Sequence, residues 1–211
     1  MRVSGAVLVG LILCGLTAGC TSASPKRHTT TPATVRTSSA VASAPTADPI
    51  PNPPSVPADV PTTGSNVRPG EKPPVMPVEA TQHTPAGANA FATFFVRVID
   101  WEGATVSPQY VRDFSSERCQ TCAPFVDGAS WDAGRVYIGG RIAIESTRLS
   151  PEPLHSGAEY TALVVFNIGA FQERSRTGSL LDTHPAYRGQ FEVSVRWLGS
   201  GWAVTDLRGR Q

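Results

Sequence analysis

The stretch GQFEVSVRWLGSGWAVTDLRG (189–209) alternates apolar with polar residues on both sides of a glycine-containing turn. Its first half has Phe191, Val193, Val195 and Trp197 on one face and Gln190, Glu192, Ser194 and Arg196 on the other. A period of two is the pattern of a β-strand, and Gly199-Ser200-Gly201 supplies a tight turn to the last strand. The stretch therefore predicts an antiparallel hairpin with one covered face.

Two stretches upstream repeat this pattern. RIAIESTRL (141–149) alternates through Ile142 and Ile144, and EYTALVVFNIGAF (159–171) does so over a longer run. The longer run places on one face Tyr160, Ala162, Val164, Phe166 and Ile168. With the hairpin, these runs predict a curved antiparallel sheet of three to four long strands. Residues 171–189 are expected to be a long connection between two of them.

The region before the strands has a helical period instead. TPAGANAFATFFVRVIDWEGA (84–104) begins with Thr84 and Pro85, an N-cap and first-turn pair. Large apolar residues then recur at helical spacing and predict one broad buried face; they are Phe91, Phe94, Phe95, Val98 and Ile99. We expect this helix to stop at Glu102-Gly103.

Two shorter helices are expected between this helix and the strands. Ser107-Pro108 is a second cap, followed by a short helix bearing Tyr110. Residues 118–135 predict a turn and a third helix, which would bring inward Phe125, Val126 and Trp131. Helices followed by long antiparallel strands indicate an α+β fold with the helices packed on one side of the sheet.

The first part of the chain has a different composition. No Phe, Trp or Tyr occurs before Phe91, whereas most of the 19 prolines lie there. Such a segment buries too little apolar surface to offset its ordering entropy. We therefore expect residues 20–84 to be a disordered, partly extended linker and residues 85–211 to be the globular domain. Threonines beside prolines leave O-glycosylation of the linker open.

The amino-terminal residues indicate export. Met1-Arg2 is followed by a short apolar run, which is the layout of a signal peptide over residues 1–19. LTAGC (16–20) resembles the lipobox of bacterial lipoproteins, with Thr17 in the usual aliphatic position. The resemblance implies that Cys20 carries a diacylglyceryl group and fatty acyl chains such as palmitate. It also implies a protein anchored at the extracytoplasmic face of the bacterial cell membrane.

Cys119-Gln120-Thr121-Cys122 admits three chemistries. A zinc site needs four ligands, and no second cysteine pair or histidine pair accompanies this one. A redox-active pair is expected at the start of a helix after a strand, whereas here helices precede it. A structural disulfide suits an exported protein, and we expect Cys119 and Cys122 to form one. No metal or other cofactor is expected.

These features together resemble a known fold. Helices followed by long antiparallel strands look like the cone-shaped fold of the nuclear transport factor 2-like (cystatin-like) superfamily. The cysteine pair, placed after a lipobox and a Pro/Thr-rich tail, is similar to an uncharacterised family of actinobacterial lipoproteins. The resemblance covers residues 84–209 and implies a fold and a cellular location, but no activity.

Function is predicted only as a class. A formal net charge of +1 without a basic cluster gives no support for nucleic-acid binding. We expect a surface-tethered module that binds an envelope protein or a small ligand. The alternative is a pocket enzyme of isomerase or dehydratase type. Its candidate residues are Tyr160, Tyr110 and Asp100, and weaker candidates are Glu145 and Asp206. The open face bearing Gln190, Glu192 and Arg196 could pair with a second copy.

Overall fold

The computed structural model describes residues 55–127 and 134–210. The predicted signal peptide, Cys20, most of the predicted linker and Trp131 lie outside these residues. Three helices come first, α1 (Pro85–Thr105), α2 (Gln109–Phe114) and α3 (Ala123–Val126). Seven strands follow: β1 (Arg135–Gly139), β2 (Ile142–Leu149), β3 (Tyr160–Ile168), β4 (Phe171–Ser175), β5 (Leu180–His184), β6 (Tyr187–Trp197) and β7 (Trp202–Arg210). Among the described residues, no helix is long and apolar enough to cross a membrane.

The first helix forms as its sequence predicts but ends later. The hydroxyl of Thr84 accepts a hydrogen bond from the Gly87 N–H at 3.0 Å and so caps the amino terminus. The five predicted apolar residues are all buried. The helix continues through Glu102-Gly103 to Thr105, and Val106, at φ 55°, donates its N–H to the Glu102 carbonyl at 2.6 Å. The end predicted at Glu102 is therefore wrong.

The main sheet has the order β2-β3-β6-β7, and every neighbouring pair is antiparallel. This confirms the strands predicted at 141–149, 159–171 and 189–209. Positive φ at Gly199 (91°) turns β6 into β7. The apolar face covered by α1 contains Ala162, Val164, Val193, Val195 and Val204, all fully buried. The architecture is α+β, with helices preceding antiparallel sheets of three and four strands.

The three-stranded sheet, of order β1-β4-β5, was not expected. Residues 171–189 read as a connection because they are mostly polar, yet they contain β4 and β5. Strands this short have no room for a clear apolar period, and β5 is exposed over most of its length. The sheet is held by pairing of β4 with strands on both sides.

The shorter helices also differ from prediction. The third helix is a 3₁₀ turn (Gln120–Cys122) followed by only four residues of α3. Phe125 and Val126 are half-buried and pack against the core, as expected. Pro108 occupies the N-cap position of α2, and its side chain makes no capping hydrogen bond. Ser107, the predicted cap, lies one residue earlier, and its backbone N–H donates to the Glu102 carbonyl at 3.4 Å.

Residues 55–84 pack on the domain, so the boundary predicted at residue 84 is wrong. Val60 and Ala80 are buried in the core. The Trp101 indole donates to the Pro61 carbonyl at 2.9 Å, 40 residues away. Gly64 lies so close to α1 that a Cβ there would be 2.2 Å from the Ala104 carbonyl oxygen. Prolines lose little conformational entropy on ordering, so a few such contacts are enough to hold the segment.

The face of β6 predicted to be open is partly covered. Glu192 and Ser194 are buried (3% and 0% exposed), although Arg196 is exposed as expected. The connection after β2 folds over this face: the imidazole Nε2 of His155 lies 3.2 Å from a Glu192 oxygen. Polar residues become buried here because they bond to one another, as the Ser194 and Thr161 hydroxyls do at 3.0 Å.

Candidate functional site

A cavity of about 540 Å³ lies beside the carboxyl-terminal half of α1, between the two sheets. Within residues 55–127 and 134–210, six aromatic side chains line it: Phe125, Tyr137, Phe166, Phe171, Tyr187 and Phe191. Ile99 and Gly103 of α1 add to its wall. A largely apolar cavity of this size, with a few polar groups, is typical of a small-molecule site.

Strand register assembles part of the aromatic wall. The rings of Phe166 on β3 and Phe191 on β6 stack with their centroids 4.7 Å apart. Phe166 faces Gly189 across the ladder, and a Cβ at Gly189 would lie 2.7 Å from the ring. The glycine therefore makes room for the Phe166 ring at the cavity wall.

One end of the cavity carries an ionic cluster, which we call the rim cluster: Glu71, Asp100 and Arg141. The Arg141 guanidinium donates to Asp100 at 2.7 Å and to the two Glu71 oxygens at 2.8 and 2.9 Å. Asp100 also accepts from the Ile142 N–H at 2.7 Å. The cluster joins three parts of the chain, the proline-rich segment, α1 and β2.

The rim cluster controls the ionisation of its members. Burial alone would raise the pKa of Glu71, but the hydrogen bond and charge of Arg141 lower it below the usual value. Burial alone would lower the pKa of the Arg141 guanidinium, but Asp100 and Glu71 raise it. The cluster is thus held in its charged form.

The remaining charged and amide side chains of the wall are also paired. The Asn66 amide bonds to the carbonyl and N–H of Gly139, at 2.6 and 3.1 Å. Arg210 pairs with Glu192 at 2.8 Å. The cavity therefore presents an apolar interior with charges already neutralised at its edges.

Of the three pocket residues predicted from the sequence, Asp100 lines the cavity and the two tyrosines do not. The Tyr110 hydroxyl donates to the Pro74 carbonyl at 2.6 Å. Burial, followed by the charge of Asp113, raises the pKa of Tyr110 to about 12. Tyr160 is half-buried with its ring edge-on to Trp202, at a centroid distance of 5.8 Å. Both tyrosines pack in the fold, so their prediction as pocket residues is wrong.

The two weaker candidates also lie outside the cavity wall. Glu145 pairs with Arg188 at 2.8 Å on the surface. The hydrogen bonds from Arg188 and Asn167 lower the pKa of Glu145. Asp206 accepts from the Thr121 hydroxyl at 2.6 Å and from Arg208 at 2.9 Å. Both carboxylates are thus engaged by neighbouring donors.

Cys119 and Cys122 are joined by a disulfide in the structure. Between them, the Thr121 hydroxyl donates to Asp206 and accepts from the Leu207 N–H at 2.8 Å. Both cysteines are buried, at 5% and 0% exposure. These contacts connect the loop closed by the disulfide to β7. Within the described residues, no group of three or more His, Cys, Asp or Glu side chains could hold a metal ion.

Glu102 is the titratable group that sequence reasoning missed. Its side chain is fully buried, and neither carboxyl oxygen has a hydrogen-bond partner within residues 55–127 and 134–210. Burial raises the pKa of Glu102 to about 9, so it is protonated at neutral pH. The signal was its position four residues after Val98 and seven after Phe95, on the same helical face. Glu102 is not among the residues of the cavity wall.

No curated protein matches the chain. Two chains of known structure match it. One is the crystal structure of the intermembrane space region of chloroplast protein ARC6, with 15% sequence identity, coverage of 61% of this chain and 97% of that chain, and a TM-score of 0.40. The profile of the family described as "Family of unknown function (DUF6318)" matches residues 56–208, and the chain therefore belongs to that family.

Proposed function

We propose that this protein is a lipid-anchored binding module of the bacterial cell envelope whose cavity takes a small apolar ligand. The proposal of a ligand is supported by the cavity of about 540 Å³ and by the six aromatic side chains in the described part of its wall. Removing a small apolar molecule from water into such a wall is favourable at roughly 25 cal/mol per Å² of apolar surface. We assign the fold, on the same basis as the sequence resemblance, to the nuclear transport factor 2-like cone.

Binding suits the geometry better than catalysis does. An isomerase or dehydratase needs a carboxylate or other base that can exchange a proton with its substrate. Asp100 is the one carboxylate in the described part of the wall, and it is held by Arg141 and by the Ile142 N–H. A carboxylate held in this way positions its neighbours, and we therefore propose a binding role.

Ligand binding is tested with 1-aminoanthracene, a neutral fluorophore that brightens in apolar cavities. We expect the full chain carrying Cys20→Ala, which can be assayed without detergent, to enhance its fluorescence. Adding Ile168→Trp should abolish the enhancement because the larger side chain fills the cavity. Leu181→Trp is the matched control, since Leu181 is 52% exposed and lies outside the wall. Equal enhancement by both variants, with both folded by circular dichroism, would rule out this cavity as the site.

The anchor is supported by the lipobox resemblance at residues 16–20 and is tested separately. We expect the wild-type protein to partition into the detergent phase of Triton X-114 and Cys20→Ala to move to the aqueous phase. Cys119→Ala is the control for loss of a cysteine elsewhere in the chain. If Cys20→Ala stays in the detergent phase, the anchor proposal fails, whatever the result for the cavity.

A further inference from the structure

Tyr187 differs from the other polar groups of the cavity wall. It lies on β6 and faces Ile168 of β3 across the ladder. Its hydroxyl has no hydrogen-bond partner within the described ranges 55–127 and 134–210, whereas Tyr137, the other phenol of the wall, is engaged. Burial raises the pKa of Tyr187, so the hydroxyl keeps its proton at neutral pH. This hydroxyl is therefore a neutral donor available to a ligand in the cavity.

The charged side chains in the described part of the wall are already paired. Arg141 donates to both carboxylates of the rim cluster, and Arg210 is paired with Glu192. A charged ligand would lose its hydration without meeting an unpaired opposite charge, which makes its transfer unfavourable. Exclusion of charged ligands follows from this pairing and does not depend on Tyr187.

We propose that the ligand is an uncharged, mainly apolar molecule with one hydrogen-bond acceptor, such as a carbonyl or ether oxygen, that binds the Tyr187 hydroxyl. This inference rests on the proposed function of the cavity. The aromatic wall supplies most of the affinity, and Tyr187 selects among ligands of similar size and shape. An apolar molecule without the acceptor would leave the hydroxyl unpaired in the complex.

Four probes of similar shape and different chemistry test the proposal: 2-acetylnaphthalene, 2-ethylnaphthalene, 2-naphthoate and 2-naphthylmethylammonium. They are titrated by calorimetry into the full chain carrying Cys20→Ala, which removes the acylation site and the need for detergent. We expect 2-acetylnaphthalene to bind roughly three- to tenfold more tightly than 2-ethylnaphthalene, the range expected for one net hydrogen bond. Both charged probes should bind more weakly than either.

The variant Tyr187→Phe removes the hydroxyl and leaves the ring. We expect it to abolish the preference for 2-acetylnaphthalene, while the affinity for 2-ethylnaphthalene stays the same or rises because no hydroxyl is then left unpaired. Tyr160→Phe is the control, because Tyr160 also lacks a hydroxyl partner in the described residues but does not line the cavity. It should leave both affinities unchanged. Thermal melting checks that each variant is folded.

The outcomes separate the two proposals. If no probe binds the chain carrying Cys20→Ala with its cavity residues unchanged, the cavity function itself fails. If the probes bind but the ketone has no advantage, or Tyr187→Phe retains the advantage, the ligand class is wrong and the cavity function stands. Tighter binding of either charged probe overturns the assignment of an uncharged ligand.

Discussion

Asp100 and Glu102 lie two positions apart on α1 in opposite surroundings. Asp100 accepts hydrogen bonds from Arg141 and from the Ile142 N–H in the rim cluster. Glu102 is fully buried, and its carboxyl oxygens have no partner within residues 55–127 and 134–210. One helix thus carries a carboxylate in an ion pair and a carboxylic acid in apolar surroundings.

The difference shows that hydrogen-bonding partners, as well as burial, set the state of an acid in this protein. Glu71 of the rim cluster is partly buried, and Arg141 still lowers its pKa. Glu102 has no such partner, and burial alone raises its pKa to about 9. The rim cluster therefore ties elements together through charge, whereas Glu102 is tolerated because it is neutral.

The largest loss of stability is expected from replacing Arg141, which lies at the centre of the rim cluster. Arg141→Met would leave Glu71 and Asp100 partly buried without their cation, and we expect a loss of about 3–5 kcal/mol in the free energy of unfolding. Urea denaturation at pH 7 measures this loss. Arg148→Met is the control, because Arg148 is exposed on the same strand. A loss no greater than that of the control would mean that the cluster does not hold the fold.

The second effect is a pH dependence carried by Glu102. Its pKa is raised from 4.5 to about 9 in the folded state, so its contribution is fully present below pH 4.5 and is lost as the pH rises toward 9. The free energy of unfolding should fall by about 1.4 kcal/mol per pH unit in this window. Glu102→Gln, which cannot ionise, should remove that slope.

The measurement for Glu102 is urea denaturation at several values between pH 5 and pH 8. Glu152→Gln is the control, since Glu152 is exposed in a loop. The difference between wild type and Glu102→Gln isolates this one group from all others that titrate. Parallel pH profiles for the two proteins would show that Glu102 has a charged or hydrated state in the fold.

Glu71 is expected to give a smaller pH dependence of the free energy of unfolding, opposite in sign to that of Glu102. Its pKa is lowered in the folded state, so its contribution is present above the unfolded pKa of 4.5 and is lost as the pH falls through the lower, folded pKa. Glu71→Gln should lower the free energy of unfolding by about 1–2 kcal/mol at pH 7. The loss is limited because Arg141 still forms its ion pair with Asp100. The variant should also lose less stability than wild type in acid, which denaturation at pH 3 and pH 7 measures. An unchanged acid dependence would contradict the assignment.

The long elements could be predicted because one face of each is buried in the core. Phe91 and Phe95 on α1, and Val193 and Val195 on β6, occupy the positions that their periods predicted. Glu102 follows the same helical period, but its charge suggested a helix end. The helical period correctly indicated that Glu102 lies within the helix on its buried face. This burial is possible because an acid without a partner can remain buried in its protonated form.

The ordered proline-rich segment could not be predicted from its own composition. It is held by donors from distant residues, the Trp101 indole and the Tyr110 hydroxyl, which reach Pro61 and Pro74 over 40 and 36 positions. The cavity was equally hard to predict, because its described wall combines residues of two helices and six strands with Asn66 of this segment. Only Asp100 was placed correctly, since the end of a helix packed on a sheet lies near the edge of that sheet.

The smallest loss of stability is expected from removing one hydrogen bond between uncharged groups, in contrast to the ion pairs of the rim cluster. Tyr110→Phe removes one hydrogen bond, to the Pro74 carbonyl, and should cost about 1 kcal/mol. Because the bond joins the proline-rich segment to α2, we expect part of this loss as local opening, measured as faster hydrogen exchange in residues 66–80. Tyr160→Phe removes a hydroxyl without a partner in the described residues and should change neither quantity. A uniform increase in exchange across both sheets would instead mean that the segment opens only when the whole domain unfolds.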